Sequence, residues 1–175
     1  IDELSTDTSD ALQPFLQNIL AKTSELIGAD SGTISISKII DGRSWLVIED
    51  ETGQLVGAKS RGWMKSKIPQ LPVGGEEIPY AHRSLNGYVA HTARPAMIAN
   101  VENEKNGFYK SLSSQIKSEL AVPIIHGNRV LGVINQDSFR KNFFTQEHQK
   151  ILQIISSLIS PKVYNLKQIE NLKQE

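Results

Sequence analysis

Few residues in this chain are of a type that could do chemistry. Four histidines are present, His82, His91, His126 and His148; an imidazole can ligate haem or a metal, or move a proton near neutral pH. No two of them stand at a convincing metal-ligand spacing. His126 beside Gly127 reads as a solvated turn residue, and His148 within Glu147-His148-Gln149-Lys150 as part of a solvated helix face. The chain has no cysteine, which excludes disulfides, thiolate metal sites, thiol nucleophiles and thioether attachment of a chromophore. Gly74-Gly75-Glu76-Glu77 lacks the Lys-Ser/Thr that completes a phosphate loop and reads as an exposed turn with solvated acids. No nucleophile stands out beside its base, and no acidic pair stands out in a buried segment. On these grounds the chain is expected not to be an enzyme.

Whatever chemistry there is must be positioned by a fold of modest size. With 175 residues there is material for one compact domain with its own core. Lys+Arg and Asp+Glu balance at 19 each, so no sequence-wide field favours nucleic acid or an anionic membrane. No stretch is apolar enough for a membrane span, and residues 1–7 do not resemble a signal peptide. With Ile1 first, the chain reads as a piece of something longer, and the lack of cysteine fits a cytoplasmic location.

Leu12, Phe15, Leu16, Ile19, Leu20, Thr23, Leu26 and Ile27 recur at the steps of one helix face. Asp7, Thr8, Ser9 and Asp10 offer N-cap oxygens, and Gly28 supplies a left-handed stop. Alternation then marks a strand over 33–40, a hairpin turn at Asp41-Gly42, a second strand through Trp45, Val47 and Ile48, and a third short run at Leu55 and Val56. Residues 57–83 read as irregular, with one helical turn near Trp63. A short helix capped by Ser84 follows, then a strand at Ala96-Met97-Ile98-Ala99. The strongest strand pair is 118–125 with 129–136, joined by His126-Gly127-Asn128; Gly132 marks a place where a side chain would obstruct a close approach of backbone or ligand. Thr145 caps a last helix whose first half is apolar enough to bury and whose part after Pro161 narrows to a seam for a partner. The order implies an α+β domain with helices packed on one sheet face.

The run Gly87-Tyr88-Val89-Ala90-His91-Thr92-Ala93-Arg94-Pro95, followed by Met97-Ile98-Ala99-Asn100-Val101, resembles the G-x-[AV]-x-x-T-x-[RK]-P segment and following strand of GAF domains. Glu119-Leu120-Ala121-Val122-Pro123-Ile124-Ile125, with Arg129-Val130-Leu131-Gly132-Val133-Ile134-Asn135, resembles the family's paired strands, and Phe144-Thr145-Gln146-Glu147 its entry to the closing helix. PAS-like domains are similar in layout and role. The resemblance divides the chain into a polar extension over 1–9, a GAF domain over 10–160 and a helical linker or signalling helix over 161–175.

What the resemblance implies is a sensory or regulatory domain: a cup that binds an unidentified small molecule, mediates dimerisation, or both. Candidate ligand residues of the cup are Trp63, His82, Asn100, Phe108, Tyr109 and Ser118, with His82 and His91 flanking the pocket. The bland alternative makes the aromatics core residues that plug the cup of a ligand-free dimerisation module. Cyclic-nucleotide-binding members share a signature that falls here on Asn135, Gln136, Phe144, His148 and Gln149; three of the five differ, and Gln136 opposite His148 cannot form the family's ion pair. Cyclic nucleotide and haem stay as disfavoured alternatives, and a covalent bilin is excluded. Family members that reduce methionine sulfoxide use cysteines. The expected partners are a second copy, through the terminal helices, and an attached output domain such as a histidine kinase or a cyclase; no nucleic acid or membrane is expected.

Overall fold

A computed structural model of the chain describes residues 11–63, 67–103 and 113–173. Seven strands form one antiparallel sheet: β1 (Ser31–Ile40), β2 (Arg43–Val47), β3 (Ala58–Lys59), β4 (Leu71–Pro72), β5 (Ala96–Ile98), β6 (Ser118–His126) and β7 (Arg129–Ser138). Their order is β4-β2-β1-β7-β6-β5, with β3 continuing the edge of β1 that β2 occupies further along. Three α-helices accompany it among the described residues: α1 (Leu12–Ile27), α2 (Leu85–Thr92) and α3 (Gln146–Lys173).

The sheet separates two layers because its strands alternate. Leu120, Val122, Ile124 and Ile134 face a core with Phe15, Leu16, Ile19 and Leu20 of α1 and Leu152, Ile155 and Ile159 of α3. Ala121 and Val133 face the other way, against Leu85 and Val89 of α2. Fully burying each large aliphatic or aromatic side chain contributes about 1.5–3 kcal/mol, so the α1/α3 layer supplies most of the apolar stabilisation and α2 covers a smaller second core. Helix α3 continues through Pro161, and Val163 and Leu166 beyond it are buried in the same core. Ile169 and Leu172, further along, are exposed.

Local chemistry fixes the element ends. Gly28 closes α1 with φ of 80° and donates its N–H to the Ser24 carbonyl at 2.8 Å, a left-handed stop that glycine adopts without a Cβ penalty. At the other end of α1 the N-cap is Ala11, which makes no side-chain cap; the proposed cap oxygens of residues 7–10 lie outside the described residues. Asp41 and Gly42 both take positive φ, 52° and 77°, the conformation that lets a two-residue hairpin match strand twist. The third run differs from its expected place. Leu55 makes only an isolated bridge with Glu49, and the strand proper is Ala58–Lys59, paired back onto Thr33 and Ile34 of β1.

The β6–β7 hairpin carries a bulge. Ile125 pairs with Val130 and Ile124 with Gly132, leaving Leu131 extra, and Leu131 joins the α1/α3 core. Gly132 then lies so close to β1 that an added Cβ would stand 2.1 Å from the Ser35 carbonyl oxygen. The obstruction expected at Gly132 is therefore one of backbone against backbone. Gly132→Ala should force β1 and β7 apart and destabilise the domain by about 1–3 kcal/mol, read as a lower midpoint in urea unfolding; an unchanged midpoint would show that the sheet gives way easily.

Candidate functional site

On the α2 side of the sheet, Ser60 fastens the strand end that leads to Trp63. Its N–H donates to the Gly32 carbonyl at 3.0 Å, and its hydroxyl accepts from the Gly32 N–H at 2.9 Å. The helical turn Arg61–Trp63 follows, with the Trp63 N–H donating to the Ser60 carbonyl at 2.9 Å. Trp63 is thereby set over the ends of β6 and β7, packed with Ile48, Ile68 and Ile116. Its indole Nε1 donates to Oδ2 of Asp137 at 3.2 Å, and the Ser31 hydroxyl donates to the same oxygen at 3.2 Å.

Asp137 stands directly opposite Glu119 across the β6–β7 ladder, and both are buried, 2% and 7% exposed. Two carboxylates this close in a dry place cannot both ionise. Burial raises the pKa of the Asp137 carboxyl well above its ordinary value; the neighbouring charge of Glu119 and a hydrogen bond between the two side chains raise it further. Oδ1 of Asp137 receives no hydrogen bond from any other group among the described residues, which makes it the oxygen best placed to carry a proton shared by the pair. Asn135 completes the network: its Nδ2 donates to Oε1 of Glu119 and to Oδ1 of Asn86, each at 2.8 Å. Because Asn86 lies in the first turn of α2, whose N-cap Ser84 accepts from the Gly87 N–H at 2.9 Å, the acid pair also fixes that helix against the sheet.

These groups line a cavity of about 40 Å³, polar at Glu119, Asn135 and Asp137 and walled by Ile48, Leu71 and Ile116. That is room for a water molecule or a group of ammonium size. Among the described residues no three His, Asp or Glu gather as a metal site.

Of the candidate ligand residues, Trp63 lines this cavity. His82 is exposed at the end of the turn Tyr80–His82. Asn100 uses Oδ1 to accept the Glu102 N–H at 3.1 Å, and Ser118 donates to the Arg140 carbonyl at 2.7 Å, fastening the loop after β7. Phe108 and Tyr109 lie outside the described residues. His91 does not flank the cavity; it lines a separate cleft where β1 and β7 part. Two histidine readings are corrected. His126 is half-buried and stacks on Tyr164, ring centroids 4.2 Å apart. His148 joins the cap of α3: its N–H donates to the Thr145 hydroxyl at 3.2 Å, and its Nδ1 accepts the Thr145 N–H at 3.1 Å, a capping box with imidazole in the place of a carboxylate. Gln136 instead donates to the Asn135 carbonyl at 3.1 Å. The residues the sequence reading missed are Glu119, Asp137 and Asn86; the available signal was polar side chains set into otherwise apolar strands.

A curled antiparallel sheet with α1 and α3 on one face and a covered cavity on the other defines a small α+β module. The family model described as GAF domain matches residues 10–161, and the chain belongs to the GAF domain family. No curated protein sequence matches it. Among solved structures it is similar to a free methionine-R-sulfoxide reductase from Neisseria meningitidis in complex with its substrate, at 17% identity and a TM-score of 0.72, over 96% of this chain and 86% of that one. A type II free methionine-R-sulfoxide reductase from Thermoplasma acidophilum matches at 17% identity and a TM-score of 0.67, over 89% and 94%. The GAF domain of an Acinetobacter phosphoenolpyruvate-protein phosphotransferase matches at 15% identity and a TM-score of 0.72, over 96% and 90%. At such identities the likeness is one of fold. It nevertheless overturns the expectation that the chain is not an enzyme, because the fold it shares includes enzymes and leaves catalysis within its range.

The raised pKa of Asp137 fixes a sign. The folded state binds a proton that the unfolded chain releases once pH passes the ordinary value of 3.8, so this group's contribution is complete below that pH and is lost as pH rises toward the folded pKa. Asp137→Asn keeps an acceptor for Trp63 and Ser31 and a donor toward Glu119. It should raise the unfolding midpoint at pH 7 but not at pH 4, as followed by thermal denaturation; equal effects at both pH values would contradict a protonated Asp137.

Proposed function

We propose that this GAF domain is a sensory and regulatory module whose cavity under Trp63 receives the ammonium group of a small amine, of the free amino-acid class. The observation that carries the reading is the Glu119–Asp137 pair, held in a small cavity with Trp63 above it and apolar walls around it. An ammonium group supplies the donor that Oδ1 of Asp137 lacks and replaces the proton held there; a neutral or anionic head group cannot do both. The Neisseria relative, named as a reductase of free methionine-R-sulfoxide and solved with its substrate, adds support, since that substrate is an amino acid with a free ammonium group.

A cavity of about 40 Å³ has room for little beyond the head group, so the rest of a ligand would extend past the roof or displace part of it. The turn carrying Trp63 is tethered by the Ser60 and Asp137 hydrogen bonds and by the packing of Trp63 on Ile48, Ile68 and Ile116. A ligand that prefers the displaced arrangement shifts the population between two roofs, which is how binding would reach an attached output domain such as a histidine kinase or cyclase. Calorimetric titration of the chain with free amino acids, methionine sulfoxide among them, should find a binder whose heat varies with the ionisation enthalpy of the buffer, because the displaced proton is released. Glu119→Gln and Asp137→Asn should each weaken it at least about tenfold; equal affinity for the N-acetylated compound would sink this reading.

We further propose that the domain pairs with a second copy through the outer face of α3. Ile154 and Leu158, one helical turn apart, are exposed on its first half, and Ile169 and Leu172 on its second. Ile154→Glu with Leu158→Glu should convert a dimer into a monomer by light scattering without lowering the unfolding midpoint. A wild-type monomer at high concentration would remove the proposal.

A further inference from the structure

The ladder between β1 and β7 stops at Ile36 and Gly132, although both strands go on. Beyond that point β1 stays with β2 as far as Ile40 and Arg43, and β7 stays with β6 as far as Arg129 and His126. The bulge at Leu131 turns β7 away, so the sheet forks. The fork opens a cleft of about 540 Å³, within the range of small-molecule sites, reached by Lys38 of β1, Arg129 of β7, His91 of α2, and Tyr164 and Lys167 of α3.

The charges in this cleft are of one sign. Lys38, Arg129 and Lys167 line it, and no Asp or Glu does among the described residues. None of the three forms an ion pair among the described residues. The nearest acids lie to the side: Glu170 shares an adjoining hollow with Lys38 and Lys167, and Asp50 senses Lys38 from the next turn of the sheet. Lys167 is half-buried and held in place, its ammonium donating to the Ser37 carbonyl at 2.9 Å. Burial first, and then the repulsion of Lys38 and Arg129, lower its pKa to about 8. Like charges gathered on three separate elements without a counter-charge disfavour the empty site, and an anion placed among them relieves the repulsion.

We propose that this fork is a second binding site, distinct from the Trp63 cavity, for a small anion of two or more negative charges, of the phosphate-ester or polycarboxylate class. Arg129 offers a planar fork of donors to such a group, Lys38 a mobile ammonium, and Lys167 the two ammonium protons not committed to Ser37. Because Lys167 belongs to α3 while the other two cations belong to the sheet, an anion there would tie the second half of that helix to the sheet. The site is independent of the amine reading, and Asp137→Asn should leave it intact.

Thermal shift and calorimetry of the whole chain test this with inorganic phosphate, pyrophosphate and citrate, each against sodium chloride at the same ionic strength. Wild type should be stabilised by at least one of the three beyond its chloride control. Lys167→Met and Arg129→Gln should each weaken that binding at least about tenfold, whereas Lys141→Gln, remote from the fork, should not. Arg129 is exposed beside the hairpin turn, so its variant keeps the test valid even if the Lys167 variant unfolds. A response to phosphate and pyrophosphate alone assigns a phosphoryl ligand, and one to citrate alone a polycarboxylate. No stabilisation beyond chloride, or stabilisation unchanged in both variants, overturns the site.

Discussion

A carboxyl group buried away from water must be neutral or surrounded by donors, and in this domain Asp137 obliges several elements to meet that demand. Ser31 of β1 and Trp63 of the roof both donate to Oδ2. The Asp30 N–H donates to the Asp137 main-chain carbonyl at 2.9 Å, and Glu119 of β6 faces it across the ladder. Through Asn135 and Asn86 the same network holds α2. Replacing such a group by a well-packed apolar one is often neutral for stability, so the arrangement is better explained by what it makes available, a buried acid pair beneath Trp63, than by what it adds to the fold.

Much of the architecture could be read from periodicity alone. The apolar steps from Leu12 to Ile27, the Asp41-Gly42 turn, the Ser84 cap and the Thr145 start of α3 each follow from local sequence, and apart from Leu26, which is exposed, each is where the pattern put it. The site was less legible for a definite reason. Counting back from the tight turn at Gly127-Asn128 places Gln136 opposite Glu119, and the bulge at Leu131 moves the register by one so that Asp137 faces it instead. A bulge leaves almost no local signature in an apolar strand, so the acid pair stayed hidden while its two members were each in plain view. Trp63, an aromatic residue that stands out in an irregular segment, lies at the cavity; His82, Asn100 and Ser118 stand out only by polarity, and polarity does not say which way a side chain points.

The histidines show the same limit from the other side. His126 and His148 look solvated when only their chain neighbours are considered. Tertiary packing gives the first a ring to stack on and the second a helix end to cap. An imidazole has both an apolar face and two polar atoms, so its neighbours in space decide its role.

Strand β7 joins the two proposed sites. Asp137 stands near its end, Arg129 at its start, and the Leu131 bulge lies between them. The close contact at Gly132 locks its middle against β1, so displacement of the Asp137 end by a ligand cannot pass freely along the strand to the fork. A more direct path crosses the hairpin. Helix α3 packs on β6, and the Ser156 hydroxyl donates to the Pro123 carbonyl at 2.6 Å. Four residues beyond Ser157, Pro161 deprives that residue's carbonyl of its helical donor. The helix is thus anchored to the sheet before Pro161, lacks a main-chain bond there, and meets the cationic fork only after it, at Lys167. With such a division, a ligand at the acid pair would act on the part of α3 that packs on β6, while an anion at the fork would act on the part that carries Lys167.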